Sequence, residues 1–202
     1  AHDVIYTAPP QGLLSHLDDS NTINQIYLNK LKRLPNPCGA LVFYSALKRE
    51  NISNNFSNHY QFSHKGLGSL FLSLSKEGDG RAPKGELTLI ASMFTNTNDW
   101  INLTKIRYKE KKEEFFEKIS LAIENQLNIH PSHWLHRELA TPSSFEKWTN
   151  RPKGIVGGLG QSPEQFGIFG LASRTPLDGL WLCGDSIYPG EGTAGVSQSA
   201  LM

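Results

Sequence analysis

The sequence has few cysteines, no long hydrophobic run and almost no net charge. Its 202 residues include two cysteines, Cys38 and Cys183, which lie far apart and form no CxxC pair. This spacing excludes a metal–thiolate site and favours a reducing compartment such as the cytosol. The mean hydropathy is −0.38. No apolar run reaches the roughly 18 residues that a membrane-spanning helix requires.

The near absence of net charge argues against a nucleic-acid partner. Twenty basic and 19 acidic residues leave a formal charge of +1, so no global field attracts a polyanion. The basic run Lys109 to Lys112 is followed at once by acidic residues, which indicates a solvated helix face. What the sequence does contain is 38% hydrophobic residues, including ten Phe, and this excludes a disordered chain.

Both ends of the sequence fall within predicted secondary structure. Val4 to Thr7 are strand formers, and Pro9 and Pro10 stop them. Gly195 to Met202 begins a helix that has no Gly or Pro terminator. We therefore expect a piece of a longer protein. The opening residues carry no signal-peptide pattern.

The first three quarters of the sequence predict a sheet with helices. The clearest helix is Tyr108 to Leu127, where Phe116, Ile119, Ile123 and Leu127 share one face. We expect Tyr60, Phe62 and Phe71 in the core. The other predicted elements are a helix from Ile23 to Lys32 ended by Pro35 and Pro37, strands Gly39–Leu47, Ser69–Leu74, Glu86–Phe94 and Trp134–Leu139, a loop from Asn51 to Asn58 and a turn-dense connection from Lys76 to Gly85.

Glycines become dense after Pro152, and this segment carries the chemistry. A short strand, Leu180 to Cys183, ends at Gly184 and Asp185, and the glycine-rich turn from Gly190 to Gly195 leads into a helix. Unpaired amides and the helix dipole at such a helix start hold an anion or an electron-rich ligand. Asp185 is placed to accept hydrogen bonds from ligand hydroxyls. The alternative is a tight turn of small residues that serves packing alone.

Two motif matches are set aside. The turn Gly190 to Gly195 fits GxGxxG, but the dinucleotide fingerprint begins directly at a strand end and this turn does not. His130, His133 and His136 have a spacing that suggests a metal site. Because Pro131 follows the first and a predicted strand spreads the others, we expect no metal there.

The last quarter resembles a known flavoprotein family. Gly179 to Ser186 (GLWLCGDS) followed by Pro189 to Val196 (PGEGTAGV) is similar to the C-terminal flavin motif of the carotenoid oxidoreductases, which include phytoene desaturases and carotenoid isomerases. Thr141 to Gly158 is similar to the family's TP…FE.FT.RP.G.VGG loop. The PGEGTAGVS wording most resembles the carotenoid C-3′,4′ desaturase branch.

The resemblance implies a two-domain FAD/NAD(P)-binding α/β fold. An α+β substrate lobe would join the C-terminal part of a Rossmann-like FAD-binding domain, in a fragment that lacks the N-terminal βαβ unit. Residues 1–10 would be the strand that returns to the FAD domain, and residues 11–150 the substrate-binding lobe. Residues 151–202 would be the FAD-contacting segment, cut within its last helix.

The resemblance also implies FAD as cofactor. Asp185 would contact its ribityl or pyrophosphate part, and the glycine turn would lie against the isoalloxazine. Glu191 is either a proton relay or a carboxylate that favours the helix dipole. The cofactor contacts expected in this way are Gly184, Asp185, Pro189, Gly190, Glu191, Gly192, Thr193, Ala194 and Gly195.

The activity implied is that of an FAD-dependent carotenoid desaturase, which transfers hydride from a carotene to flavin, with this fragment inactive by itself. The alternatives are a carotenoid cis–trans isomerase, a flavin amine oxidase relative and a non-catalytic isoprenoid-binding module. The expected partners are a carotenoid and, by peripheral contact at the cytoplasmic face, a membrane. Trp148, Phe166 and Phe169 would line a polyene tunnel, meet the membrane or pack in the ordinary way.

Overall fold

A computed structural model describes residues 1–17, 24–35, 38–53, 56–160, 163 and 167–202. The chain divides into two compact units, of which the first comprises Ala1–Cys38 with Asn150–Met202 and the second Gly39–Thr149. The first unit extends to Cys38, and the resemblance begins the substrate-binding lobe at residue 11. Within the first unit, Leu13 and Leu31 pack with Leu171, Leu182 and Ile187 of the C-terminal segment.

The secondary structure follows most of the predicted elements. In chain order it comprises β1 (Val4–Tyr6), α1 (Gln25–Lys32), β2 (Gly39–Lys48), β3 (His59–His64), β4 (Gly68–Leu74), β5 (Glu86–Thr95), α2 (Lys105–Leu127), β6 (Trp134–Ala140), α3 (Pro142–Thr149), β7 (Leu180–Leu182) and α4 (Gly192–Leu201). Strand β3 and helix α3 were not predicted from the sequence. Ile23, Pro37, Phe166 and residues 54–55 lie outside the described residues.

The second unit is an antiparallel five-stranded sheet of order β3-β4-β5-β2-β6. Alternate residues of its central strands point to one face, where Leu41, Phe43 and Leu89 are fully buried. Helix α2 covers this face with Ile119, Ile123 and Leu127. The apolar pattern predicted for α2 is confirmed, with Phe116 partly buried against the same core.

The caps of α2 explain where the helix starts and stops. The Thr104 hydroxyl accepts a hydrogen bond from the Arg107 amide at 3.3 Å, and Asn128 ends the helix with a φ of 54°. Near its end the carboxylate of Glu124 accepts a hydrogen bond from Trp134 Nε1 at 2.7 Å. Arg137 lies 3.6 Å from the same carboxylate, which compensates its burial.

The other face of this sheet exposes three aromatic side chains among polar ones such as Gln61 and Ser92. Phe94 is 72% exposed, Phe71 44% and Tyr44 39%. The expectation that Phe71 belongs to the core is therefore wrong: it lies on the face opposite Leu70 and Leu72, and its ring stacks on His59 with centroids 5.8 Å apart. Tyr60 and Phe62, by contrast, pack against the core.

The first unit is built on a parallel pair of strands. Val4, Ile5 and Tyr6 of β1 lie opposite Leu180, Trp181 and Leu182 of β7. Its buried apolar cluster contains Leu13, Leu31, Leu171, Leu182 and Ile187. The mixture of parallel and antiparallel strands with helices confirms the predicted α/β class.

Among the described residues, no helix combines the length and the apolar character that a membrane-spanning segment requires. No three His, Cys, Asp or Glu side chains within this described part of the chain are grouped so that they could hold a metal ion. The His130 ring instead contacts the Ser132 hydroxyl at 2.7 Å, and His136 lies 3.8 Å from Glu138.

Candidate functional site

The candidate site begins where the parallel strands end. Tyr6 O accepts a hydrogen bond from the Cys183 amide at 3.1 Å, which extends the β1–β7 pair by one residue. Gly184 follows with a φ of 123°, a conformation that favours glycine, and turns the chain away from the strand. Asp185 therefore lies at the carboxyl end of a parallel strand, where α/β folds bind ligands.

The Asp185 carboxylate is held by two side chains. Arg151 Nη2 donates to Asp185 Oδ2 at 2.8 Å and to Oδ1 at 3.1 Å. The same nitrogen donates to the Gly157 carbonyl at 3.0 Å. The Ser186 hydroxyl donates to Oδ1 at 3.2 Å. The carboxylate is thus fixed in direction, and its remaining lone pairs can accept further hydrogen bonds.

The chain then forms a tight turn before α4. Ile187 is buried, and its carbonyl accepts a hydrogen bond from the Gly190 amide at 2.8 Å. Pro189, between them, is half-buried and follows a cis peptide bond. Gly190 has a φ of 123°. Its carbonyl oxygen is so close to Gly195 that a Cβ at Gly195 would overlap it.

The start of α4 is exposed and carries no side-chain cap. Glu191 occupies the N-cap position, but its side chain makes no capping hydrogen bond to the helix. Gly192, Thr193 and Ala194 follow it and are exposed. A Cβ added at Gly192 would meet open space. The first-turn amides and the positive end of the helix dipole therefore face a surface that a flat ligand can approach.

A second glycine pair supports this turn from the side. The Gly158 amide donates to Glu191 Oε2 at 3.2 Å. A Cβ at Gly157 would overlap the same carboxylate oxygen, and a Cβ at Gly158 would overlap the Asp185 carbonyl. The loop from Arg151 to Gly158 consequently packs against both the Asp185 turn and the start of α4.

Ser199 ties α4 to the strand end, and the sequence analysis missed it. Its hydroxyl is 3% exposed, accepts from the Gly184 amide at 3.0 Å and donates to the Val196 carbonyl at 2.9 Å. Gly195 and Ser199 lie four residues apart and therefore share one helix face. That spacing of small residues is the signal in the sequence that could have found this contact.

All nine expected cofactor contacts thus lie on one continuous segment. Asp185 and the exposed start of α4 offer the two features an FAD site needs here: a carboxylate acceptor for hydroxyls, and an uncapped helix start for an electron-rich ring. The residues of this segment therefore fit FAD. Arg151, Gly157 and Gly158 join the segment from 34 or fewer positions upstream, in contacts that no local pattern predicts.

An apolar cleft lies on the exposed sheet face of the second unit. It measures about 350 Å³ and its lining is mostly apolar. Two further aromatic side chains are exposed: Trp148 in the second unit at 79% and Phe169 in the first at 62%. The cleft is lined by Ala40, Gln61, Ser69, Phe71, Ser92, Met93 and Phe94.

Sequence comparison finds relatives among carotenoid enzymes. The chain is 31% identical to the chloroplastic prolycopene isomerase of Daucus carota over 139 residues. This aligned region makes up 67% of this chain and 22% of that protein. It is 31% identical over 138 residues to that of Arabidopsis thaliana, with 67% and 23% covered. The matches support a carotenoid oxidoreductase and isomerase family. The chain spans about a fifth of these relatives' length, and no family model matches it.

Structure comparison supports the fold. Cyclohexylamine oxidase from Brevibacterium oxydans IH-35A matches all of this chain with a TM-score of 0.61 at 13% identity, over 40% of its own length. An oxidoreductase from Methanosarcina mazei matches with a TM-score of 0.54 at 13% identity, over 42% of its length. At this identity the likeness concerns the fold alone, and it confirms the FAD/NAD(P)-binding fold class.

Proposed function

We propose that this chain contributes the C-terminal FAD-binding segment and a substrate-binding lobe to a carotenoid cis–trans isomerase. The observation that carries the proposal is the arrangement of strand β7, Asp185, glycine turn and uncapped α4. The choice of an isomerase over other members of the family is supported by the prolycopene isomerases among the relatives.

In this proposal the first unit binds and polarises the cofactor. Asp185, fixed by Arg151, accepts hydrogen bonds from cofactor hydroxyls. The first-turn amides and the dipole of α4, where Thr193 and Ala194 are exposed residues, would stabilise negative charge on the flavin ring. FAD would supply the reversible electron chemistry. Glu191 braces the turn through the Gly158 amide, so its carboxylate is oriented by the protein itself.

The second unit offers a surface suited to a polyene. A carotenoid is a long hydrocarbon with no group for ion pairing, so an apolar face with aromatic side chains is the surface that can bind it. The cleft lined by Phe71, Met93 and Phe94 on the exposed sheet face has this character. Substitution of Phe94 by Asp is expected to weaken carotenoid binding without affecting FAD retention.

The second candidate is a carotenoid desaturase of the C-3′,4′ type. The observation that favours it is the sequence of Pro189 to Gly195, PGEGTAG, which resembles that of the C-3′,4′ desaturase branch. The two activities differ in the number of hydrogen atoms in the product. An isomerase converts a cis carotene into an isomer of equal mass, whereas a desaturase removes two hydrogens and lengthens the conjugated system. A peripheral contact with a membrane, which would deliver the lipid-soluble substrate, is part of both proposals.

The test is a product analysis with the whole protein that carries this chain. The protein is given FAD and a poly-cis carotene without oxygen, and products are separated by chromatography and weighed by mass spectrometry. We expect an all-trans product of unchanged mass. A product lacking two hydrogens would favour the desaturase. No product together with carotenoid binding would support an isoprenoid-binding module.

Two Asp→Asn variants make a matched pair for this assay. Asp185→Asn changes the residue that the proposal places at the cofactor, and we expect product formation to fall together with FAD content. Asp79→Asn changes an aspartate in the turn between β4 and β5, where the carboxylate bonds Arg81. We expect full activity from the second variant. Equal activity of both variants would contradict the role given to Asp185.

A further inference from the structure

Among the described residues, Arg151 is the one arginine in contact with the strand-end carboxylate of Asp185. A single nitrogen, Nη2, donates to both oxygens of Asp185 and to the carbonyl of Gly157. About a quarter of each side chain of the ion pair is exposed, 25% for Arg151 and 23% for Asp185. In a pair this shielded from water, the loss of either partner leaves an uncompensated charge and is therefore costly.

The hydrogen-bond chemistry selects one kind of partner for Asp185. An ionised carboxylate only accepts, and so does a diphosphate, which moreover carries like charge. Ribityl hydroxyls, by contrast, donate. With Arg151 and Ser186 both bonded to Oδ1 and Arg151 alone bonded to Oδ2, the carboxylate keeps acceptor capacity chiefly at Oδ2. A hydroxyl donor is therefore the ligand group that suits it.

We infer that Arg151 is a positioning residue that aims the Asp185 carboxylate at ribityl hydroxyls of the flavin. This inference rests on the proposed function, because it takes the flavin as the ligand. Arg151 acts through Asp185: the guanidinium compensates the carboxylate's charge and fixes its plane. Without the guanidinium, the carboxylate would lose its fixed orientation, and its charge would no longer be compensated by a neighbouring side chain.

The same guanidinium also holds the loop that braces the glycine turn. Its bond to the Gly157 carbonyl fixes the residue before Gly158, whose amide donates to Glu191. Removal of Arg151 is therefore expected to loosen the Asp185 turn and the start of α4 together. This coupling joins the residues Asn150–Pro152 to a cofactor segment more than 30 positions further along the chain.

The experiment measures the FAD dissociation constant of the whole apoprotein, well below its unfolding temperature. Because a lost charge-assisted hydrogen bond is at stake, we expect Arg151→Gln and Asp185→Asn each to weaken FAD binding roughly tenfold or more. The double variant should be little weaker than either single one, because both remove the same interaction. Arg151→Lys, which keeps the charge, should restore part of the affinity.

Arg174→Gln serves as the control. Arg174 lies in the same unit, but its guanidinium is placed over the Trp181 ring at 5.4 Å from the centroid. We expect this variant to bind FAD like the wild type. If Arg151→Gln lowers only the unfolding temperature and leaves FAD affinity unchanged, or if the two single losses simply add, the assignment is overturned. A wild-type protein that binds no FAD contradicts the proposed function itself, and the assignment with it.

Discussion

Among the described residues, the buried hydrophobic cluster of the second unit contains 18 side chains. The buried cluster of the first unit contains five. The second unit is a sheet whose core face is closed by α2, and burial of apolar surface accounts for its form. The first unit depends on polar links such as Arg151–Asp185 and Ser199–Gly184, and on glycines in close contact. Under the proposed function, the cofactor is bound by the first unit, whereas the larger apolar core belongs to the second.

The largest expected effect comes from a cavity in the second unit. Leu89 in β5 is fully buried, so Leu89→Ala is expected to lower the free energy of unfolding by about 2–5 kcal/mol. Leu121→Ala on α2 is the matched control, because Leu121 is 58% exposed and should change stability little. Urea denaturation measures both. FAD affinity of the folded Leu89→Ala protein should be unchanged, and a loss there would contradict the separation of roles.

Gly158→Ala is expected to change stability less than Leu89→Ala does, but to weaken FAD binding more. Its Cβ would overlap the Asp185 carbonyl, and such overpacking costs about 1–3 kcal/mol. The turn would have to move away, so we expect FAD titration to show a strong loss of affinity. Gly12→Ala is the control in the same unit, since among the described residues its Cβ would contact the Tyr6 hydroxyl at 3.2 Å and no backbone carbonyl. Equal FAD affinities in the two variants would refute the close-contact account.

The smallest effect concerns the turn between β4 and β5. Hydrogen bonds from Arg81, foremost from its side chain, lower the pKa of Asp79 from 3.8 to about 2. Because the folded pKa is depressed, the stabilisation is present above about pH 4 and is lost as the pH falls toward 2. In Arg81→Gln, a carboxyl titration by NMR should show the Asp79 pKa returning toward 3.8. An unchanged pKa would mean that the Arg81 side chain is not its main cause.

The sequence predicted the elements whose patterns are local. The apolar run of β2 and the helical spacing of Ile119, Ile123 and Leu127 each mark a buried face, and both elements were found. Strand β3 was missed because its outward residues His59, Gln61 and Ser63 continue the polar character of the Asn-rich loop before it. Only the alternation with Tyr60 and Phe62 marks it as a strand.

The candidate site divides in the same way. The segment Gly184 to Gly195 is continuous, so one motif was enough to predict it. The contact of Arg151 with Asp185 spans 34 positions, and that of Gly158 with Glu191 spans 33. Such contacts are formed by the fold and leave no periodic trace in the sequence. The prediction that Phe71 lies in the core was wrong for a related reason. Which face of the sheet a residue occupies follows from the strand register.

Hydrogen–deuterium exchange of the whole apoprotein, with and without FAD, tests most directly the claim that the first unit forms the cofactor site. The account predicts slower amide exchange on FAD addition across residues 184–195 and 151–158, with little change in β2 and β5 of the second unit. Protection confined to residues 39–149, or no protection at all at saturating FAD, would contradict it.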